Sequence, residues 1–137
     1  MRHHTVTAIF PAPRDEVFTY LADIANLPDW ATQFARELKL VDGRHKVVNG
    51  LGEFFVEIHA DAQSGVIDML AGPTEDDLAL FPTRVVDRPG GGSVFTFTMI
   101  QPPGMPDELF ESQHESLRRE FDNIRSRFAA DQARCAR

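Results

Sequence analysis

The sequence predicts an α+β fold in which an antiparallel sheet curls around one long C-terminal helix. Hydrophobic residues recur at helical spacing after a first strand, then at every second position through the middle of the chain, and again at helical spacing near its end. Short turn sequences separate the middle segments, and connections of that length join antiparallel neighbours. The long helix is the one large partner available to the sheet, so the sheet must wrap around it to bury an apolar face.

The first part of the chain predicts a strand and two short helices. Thr5 to Phe10 is rich in β-branched residues and is followed by two prolines, which is typical of a strand that ends in a turn. Arg14 to Asp23 has apolar residues at helical spacing and acidic residues near its start, where the helix dipole favours anions. The Pro28 region interrupts this helix, and a second short helix is predicted from Pro28 to about Phe34.

The middle of the chain predicts six strands in a meander, which together with the first strand make seven. Glycines beside Asp, Asn or Pro mark the turns, and Asp42-Gly43 and Asn49-Gly50 are hairpin signals. The six segments are Glu37 to Val41, Arg44 to Val48, Gly52 to Ala60, Gly65 to Leu70, Leu78 to Arg88 and Ser93 to Gln101.

The last predicted element is a long amphipathic helix from Asp107 to about Ala129. Its apolar stripe advances in alternating steps of four and three residues, which keeps one face towards the sheet. We expect a single domain over residues 1–137, with a frayed tail over 129–137. The stripe comprises Phe110, His114, Leu117, Phe121, Ile124 and Phe128.

Composition and charge exclude several classes of protein. The 137 residues are 42% hydrophobic and 26% charged, which is ordinary for a globular domain and unlike a disordered or fibrous chain. The net charge of −7 disfavours binding to nucleic acid or to an anionic membrane surface. No stretch approaches the roughly 18 apolar residues of a membrane span, and we expect a cytoplasmic monomer or homodimer. Cys135 has no partner cysteine and is expected to be an exposed, inert thiol.

The segment from Val6 to Phe34 resembles the N-terminal signature of the SRPBCC superfamily, also called START-like or Bet v 1-like. The resemblance is greatest to its polyketide cyclase/dehydrase and lipid-transport branch. The matching positions are Pro11-Ala12, Val17-Phe18, Asn26-Leu27-Pro28 and Trp30, and the order of elements then agrees over the whole chain.

This resemblance implies a helix-grip fold, with a seven-stranded antiparallel sheet curled around the C-terminal helix and a cavity for an apolar small molecule between them. It implies no particular reaction, because members of the superfamily include carriers, receptors and enzymes. Phenylalanine accounts for 11 of the aromatic residues, beside one Trp and one Tyr, which suits either a packed core or an apolar pocket. The sequence leaves that choice open.

The candidate ligand-binding residues come from the apolar face of the sheet, the facing helix and a few polar positions. His114 lies in the apolar stripe and is the candidate acid–base group, although a lone histidine there is more often an interior or rim side chain. The full set is Tyr20, Trp30, Phe54, Val56, Arg84, Phe95, Phe97, Phe110, Gln113, His114 and Leu117.

Arg84 enters this set through a predicted row of charges. With the registers that the turns favour, Glu57, Asp68 and Arg84 lie nearly opposite one another on three neighbouring strands. The row is either an exposed ladder on the outer face or, where a bulge turns it inward, a site at which a guanidinium binds a ligand carboxylate or phenolate.

No metal site, cofactor or nucleophile is predicted. The histidines lie on different elements, and Glu111 with His114 forms half of a motif that helix bundles use twice. No serine lies in a nucleophile-elbow pattern, and the glycines of Pro89 to Gly92 precede a strand where a phosphate loop requires a helix.

Three functions remain open on the sequence. The first is binding of an apolar or aromatic small molecule between sheet and helix. The second is an enzyme of the cyclase or dehydratase type that uses His114 as acid or base, which the absence of a convergent catalytic set disfavours. The third is an interaction module with a filled cavity, which would bind a partner protein through a sheet edge or its acidic surface.

Overall fold

Eight antiparallel strands form one sheet, and the long helix α3 lies against its apolar face. The computed structural model describes residues 1–135, with side chains described through Ala129. The strands are β1 (His3–Phe10), β2 (Glu37–Val41), β3 (Arg44–Asn49), β4 (Gly52–Asp61), β5 (Val66–Thr74), β6 (Asp77–Phe81), β7 (Thr83–Asp87) and β8 (Ser93–Ile100). The helices are α1 (Arg14–Ala22), α2 (Leu27–Trp30) and α3 (Asp107–Cys135), with a 3₁₀ turn at Ile24–Asn26.

The strand order is β1-β8-β7-β5-β4-β3-β2, with β6 also paired to β5. Consecutive strands from β2 to β6 pair through short turns, as do β7 and β8, and the first strand pairs with the last. Asp42 and Gly43 both have positive φ, of 52° and 78°, which is the backbone of the tight hairpin that their sequence predicts. The predicted α+β helix-grip architecture is confirmed.

Four predicted elements differ from the structure by more than two residues or by a division into two. The segment Leu78 to Arg88 is two strands, because Pro82 between them has no N–H group for the strand ladder. Strand β5 continues to Thr74 beyond the predicted end, and α2 stops at Trp30 well short of Phe34. Helix α3 continues past its predicted end at about Ala129 to Cys135. Residues 136–137, and the side chain of Cys135, lie outside the described residues.

Helix α3 is held along its length by aromatic packing. Phe121 is buried and stacks on Phe95 of β8, with ring centroids 5.2 Å apart. Phe128, further along the helix, packs against Phe10 of β1 at 5.3 Å and against the edge of the Tyr20 ring at 5.7 Å. The apolar stripe of α3 therefore packs against the inner face of the sheet as its spacing predicts.

One end of the sheet is closed by α1 and by the turn between β4 and β5. Gly65 has a φ of +82°, and a Cβ atom there would lie 2.0 Å from the carbonyl oxygen of Val85. Its own carbonyl accepts a hydrogen bond from the Val85 N–H at 2.9 Å. Only glycine permits this approach, which ties the β4–β5 turn to β7 beside Val17 and Leu21, both fully buried.

Candidate functional site

A row of inward-facing side chains crosses the sheet at the level of the first turns of α3. His4 of β1 pairs with Met99 of β8, and Ile58 of β4 pairs with Met69 of β5, which in turn pairs with Phe81 of β6. The two sets adjoin where the Thr98 N–H of β8 donates to the carbonyl of Pro82, the residue after Phe81, at 2.9 Å. Met99 and Met69 are buried, whereas His4, Ile58 and Phe81 are partly exposed. This row, which we call the apolar row, has one polar end at His4 and one apolar end at Ile58.

The partly exposed apolar side chains belong to the half of the sheet that α3 does not cover. Helix α3 makes its main contacts with β1 on one side and α2 on the other. Phe54, Ile58 and Phe81 in β4 and β6 pack against the core but retain exposed area. An apolar surface of this kind beside a helix is suited to a small apolar molecule.

The structure divides the predicted apolar site residues into two groups. Phe95, Phe97, Phe110 and Leu117 are 0–8% exposed and belong to the packed core between β8 and α3. Val56 is also buried, whereas Phe54 and the helix residue Gln113 are half-buried. The predicted pairing of these faces is confirmed by the register, in which Val85 lies opposite Phe95.

Two histidines and a glutamate meet at the polar end of the row. The imidazole rings of His4 and His114 stack with centroids 3.7 Å apart and planes 6° from parallel. Nε2–H of His4 donates to Glu111, with distances of 2.9 Å to Oε1 and 3.1 Å to Oε2. The Nδ1 atom of His114 lies 4.0 Å from Oε2 of the same carboxylate. We call these three residues the imidazole cluster.

The surroundings of the imidazole cluster set its charge state. Burial and the neighbouring His4 lower the pKa of His114, which favours the neutral imidazole. Hydrogen bonds from His4 and Arg2 lower the pKa of Glu111, which favours the carboxylate. Arg2 also lies 3.3 Å from Glu111 and 3.3 Å from Asp107, so it links the start of β1 to the first turn of α3.

Sequence reasoning placed His114 at the cavity, but it set Glu111 aside as half of a motif and did not place His4 beside them. Alternation along β1 carries the signal for His4, because Val6, Ala8 and Phe10 share its inward face. Glu111 precedes His114 by three residues, which places both on one side of a helix. What the sequence does not show is that β1 pairs beside β8 and so carries His4 to the start of α3.

Tyr20 and Trp30 have different roles in the structure. The Tyr20 hydroxyl donates to Asp29, its ring packs on Phe128, and burial together with Asp29 raises its pKa. Trp30 is 2% exposed, and its Nε1–H is buried with no hydrogen-bond partner among the described residues. An unpaired buried donor is costly, so Trp30 offers a hydrogen bond to any acceptor that reaches it.

Arg84 lies outside this site. It is exposed on the outer face of β7, opposite Val66 and Thr96, and its Nε donates to the Ser64 carbonyl at 3.4 Å. The predicted charge row is wrong in register, because Glu57 pairs with Leu70 and Asp68 with His59. No bulge turns Arg84 inward, since Val85 takes the buried position beside it.

Glu120 is a buried carboxyl group that the sequence reasoning did not identify. It is 4% exposed, and its Oε2 accepts hydrogen bonds from the backbone N–H groups of Gln33 and Phe34, both at 3.0 Å. Burial raises its pKa to about 7. Its spacing of three after Leu117 and four before Ile124 is the signal that places it on a buried side of α3.

A surface cleft of about 270 Å³ between β1 and α3 is polar and lies apart from the apolar row. Arg118 and Arg125 line it, and each is paired with a carboxylate one turn away, at 3.3 Å and 2.8 Å. Two of its guanidinium groups are therefore already paired with carboxylates, and this charged lining makes the cleft unsuited to an apolar ligand.

Solved structures with the same arrangement of elements are found despite low sequence identity. The protein XoxI from Bacillus cereus is 15% identical and has a TM-score of 0.73, with 94% of this chain and 96% of that chain covered. A START superfamily protein from Mycobacterium smegmatis is 11% identical at a TM-score of 0.69, with 93% and 97% covered. The Zhui aromatase/cyclase from a Streptomyces species is 18% identical at a TM-score of 0.67, with 99% and 96% covered.

The chain has the SRPBCC-like fold. No protein-family sequence model matches the chain, and no curated protein matches it in sequence. At identities of 11–18% the structural similarity establishes the fold, and the site must be argued from this chain's own residues. None of the helices within the described residues 1–135 has the length and apolar content needed to cross a membrane.

Proposed function

We propose that this protein binds an apolar or aromatic small molecule between the sheet and α3. The observation that carries the proposal is the apolar row, in which Ile58 and Phe81 keep exposed apolar area while the opposite end is polar. A ligand with an apolar body along the row and a polar group at the imidazole cluster matches both ends. The structural neighbours, which include an aromatase/cyclase and a START superfamily protein, support the same general class.

Burial of apolar surface supplies the affinity in this proposal. Each Å² of apolar area removed from water contributes about 25 cal/mol, before the costs of ordering the ligand and the side chains. The imidazole cluster supplies hydrogen bonds that fix orientation. Phe54, Gln113 and Leu117 complete the proposed lining beside the row.

The first experiment is native mass spectrometry of gently purified protein, followed by extraction of any bound molecule under denaturing conditions. A stoichiometric apolar compound supports binding and names its chemical class. An empty protein whose melting temperature is raised by no compound of an apolar and aromatic library contradicts it, because a ligand that binds only the native state must stabilise that state. That outcome would favour the interaction module instead.

Matched variants then locate the site. Ile58→Trp fills the partly exposed end of the row, and we expect it to weaken binding of the extracted ligand, or of the fluorescent probe anilinonaphthalene sulfonate, at least about tenfold, equivalent to about 1.4 kcal/mol. Ile100→Trp makes the same change on the outer face, where Ile100 is 42% exposed, and should leave affinity unchanged. Equal effects of the two substitutions would place the ligand elsewhere.

A second pair tests the helix side of the site. Leu117→Trp should block binding, and its control is Leu80→Trp, at an outward-facing leucine that is 47% exposed. Circular dichroism and the melting temperature show whether each variant folds, which matters most for the buried Leu117. Turnover of the ligand that is lost in His114→Gln while affinity persists would establish the cyclase or dehydratase alternative.

A further inference from the structure

We propose that His4, Glu111 and His114 bind a divalent transition-metal ion, with Zn²⁺ as the probe of choice. Nothing in the proposed ligand-binding function requires this ion, and the inference stands on the geometry of the imidazole cluster. Each of the three residues offers one ligand atom, and these atoms all lie within 4.8 Å of one another. A metal ion with bonds of about 2.0–2.2 Å spans up to about 4.4 Å between its ligands, so small side-chain movements bring all three into its coordination sphere.

The donor set selects the class of metal. Two imidazole nitrogens and one carboxylate oxygen suit Zn²⁺, Co²⁺ or Fe²⁺, whereas Mg²⁺ and Ca²⁺ prefer sites built entirely from oxygen. Three protein ligands also leave at least one coordination position for water or another small molecule, as in metal sites that are not purely structural.

The backbone around the cluster is fixed before any metal binds. Gln101 accepts a hydrogen bond from the backbone N–H of Arg2 at 2.9 Å. Its side-chain amide donates to the Met105 carbonyl at 2.9 Å and to Asp107 Oδ1 at 2.7 Å. These bonds join the start of β1 to the start of α3, so the strand that carries His4 and the helix that carries Glu111 and His114 are held together.

Metal binding requires one local rearrangement. The two imidazole rings are stacked 6° from parallel, and the in-plane lone pairs of parallel rings do not converge on one point. One ring must rotate out of the stack, and the Nε2–H proton of His4 must be displaced to free that nitrogen. The side chains have room to do so, because His4, His114 and Glu111 are 30%, 18% and 38% exposed.

Two charged neighbours act on the ion in opposite directions. The guanidinium of Arg2 lies 3.3 Å from Glu111 Oε1 and repels a bound cation. The carboxylate of Asp107 lies 3.3 Å from the same guanidinium and offsets its charge. Glu115 and Arg118, one turn further along α3, pair with each other at 3.3 Å. The metal therefore takes over the contacts of Glu111 Oε2 with His4 and His114, and Arg2 can keep Oε1 or Asp107.

The test is titration of the full chain, without an affinity tag, with Zn²⁺ by calorimetry and with Co²⁺ by visible absorption. We expect one ion per chain and, for Co²⁺, d–d bands of a low-coordinate site. His4→Gln, Glu111→Gln and His114→Gln should each weaken binding at least about tenfold, since even loss of a residue that only supports a metal ligand costs about 10–100-fold. His3→Gln removes the adjacent, outward-facing histidine on the same strand and should leave affinity within about twofold.

Two results would overturn the proposal. The first is that the wild-type chain binds Zn²⁺ no more tightly than a variant with all three cluster residues substituted. The second is that His3→Gln weakens Zn²⁺ binding as much as His4→Gln does, which would show adventitious binding by the N-terminal histidines. Melting curves of the metal-free variants verify that each is folded. The metal titrations contain no apolar ligand, so an absence of Zn²⁺ binding would leave the proposed ligand-binding function intact. Conversely, if Ile58→Trp did not weaken ligand binding, the proposed metal site would be unaffected.

Discussion

The two halves of the sheet bury the same kind of side chain to different extents. Across β1, β7 and β8, inward residues such as Phe10, Val85 and Phe95 are at most 1% exposed, and α3 or α1 packs against them. Across β4 and β6, Phe54, Ile58 and Phe81 face the same way and remain partly exposed. We call these the closed half and the open half. Apolar alternation alone thus does not bury every inward side chain; in the closed half the packing of α3 or α1 completes the burial.

The difference in burial also predicts which residues mainly stabilise the fold and which are available to bind a ligand. Residues of the closed half have most of their contacts within the chain, and their loss should mainly destabilise the fold. Residues of the open half have surface left to offer, and their change should mainly affect a bound molecule.

We expect the largest difference in the free energy of unfolding between two Phe→Ala variants on the inner face. Phe95→Ala removes a fully buried ring that stacks on Phe121, and we expect it to lower the free energy of unfolding by about 3–5 kcal/mol. Phe54→Ala, in the open half, should cost less than about 2 kcal/mol, because its ring already contacts solvent. Urea denaturation of both variants measures the difference, and equal losses would remove the distinction between the halves.

The next effect concerns Glu120, on the flank of α3 that faces the loop after α2. Its pKa in the folded chain, about 7, is above the ordinary 4.5, so the folded state binds this proton more tightly than the unfolded state does. The free energy of unfolding therefore falls progressively as pH rises from about 4.5 through 7, because the folded state must release this proton.

Glu120→Gln removes this titration while an amide oxygen can still accept from Gln33 and Phe34. Relative to wild type, the variant should be about equally stable at pH 4 and up to about 3 kcal/mol more stable at pH 8. Denaturation across that pH range gives the comparison. A constant offset at every pH would mean that the carboxyl group titrates normally in the folded chain.

A smaller effect is expected at Tyr20, which lies at the closed end of the sheet. Tyr20→Phe keeps the packing on Phe128 but deletes the hydroxyl that donates to Asp29, so we expect a loss of about 1 kcal/mol. Ligand affinity should not change, since that hydroxyl is engaged within the protein. Weakened binding at full stability would instead return Tyr20 to the ligand site.

The smallest effect is expected on the outer face. Arg84→Ala removes an exposed guanidinium whose hydrogen bond, to the Ser64 carbonyl, is 3.4 Å long. Stability should change by less than about 0.5 kcal/mol, and affinity for an apolar ligand should not change. A clear loss of affinity would show that the binding surface extends beyond the inner face of the sheet.

Local signals predicted most of the fold. The Asp42-Gly43 hairpin, the bounds of β2 and the apolar stripe of α3 follow from turn chemistry and periodicity, which act over a few residues. The split of the segment from Leu78 to Arg88 was also readable, because Pro82 lacks the N–H group that a continuous ladder needs. Register was less predictable, since hairpin turns of several residues permit shifts of two that keep the same face inward, as happened for Glu57 and Asp68.

The sequence by itself determined the element order, the inward face of each strand and the apolar, phenylalanine-rich interior, because these depend on local conformation and side-chain chemistry. Only the tertiary structure decided that β1 lies beside β8, which brings His4 to Glu111 and His114 across more than a hundred residues of chain. It also decided which apolar residues α3 covers and that Glu120 is buried. Those outcomes depend on the curvature of the sheet and the docking of one helix, which no local pattern encodes.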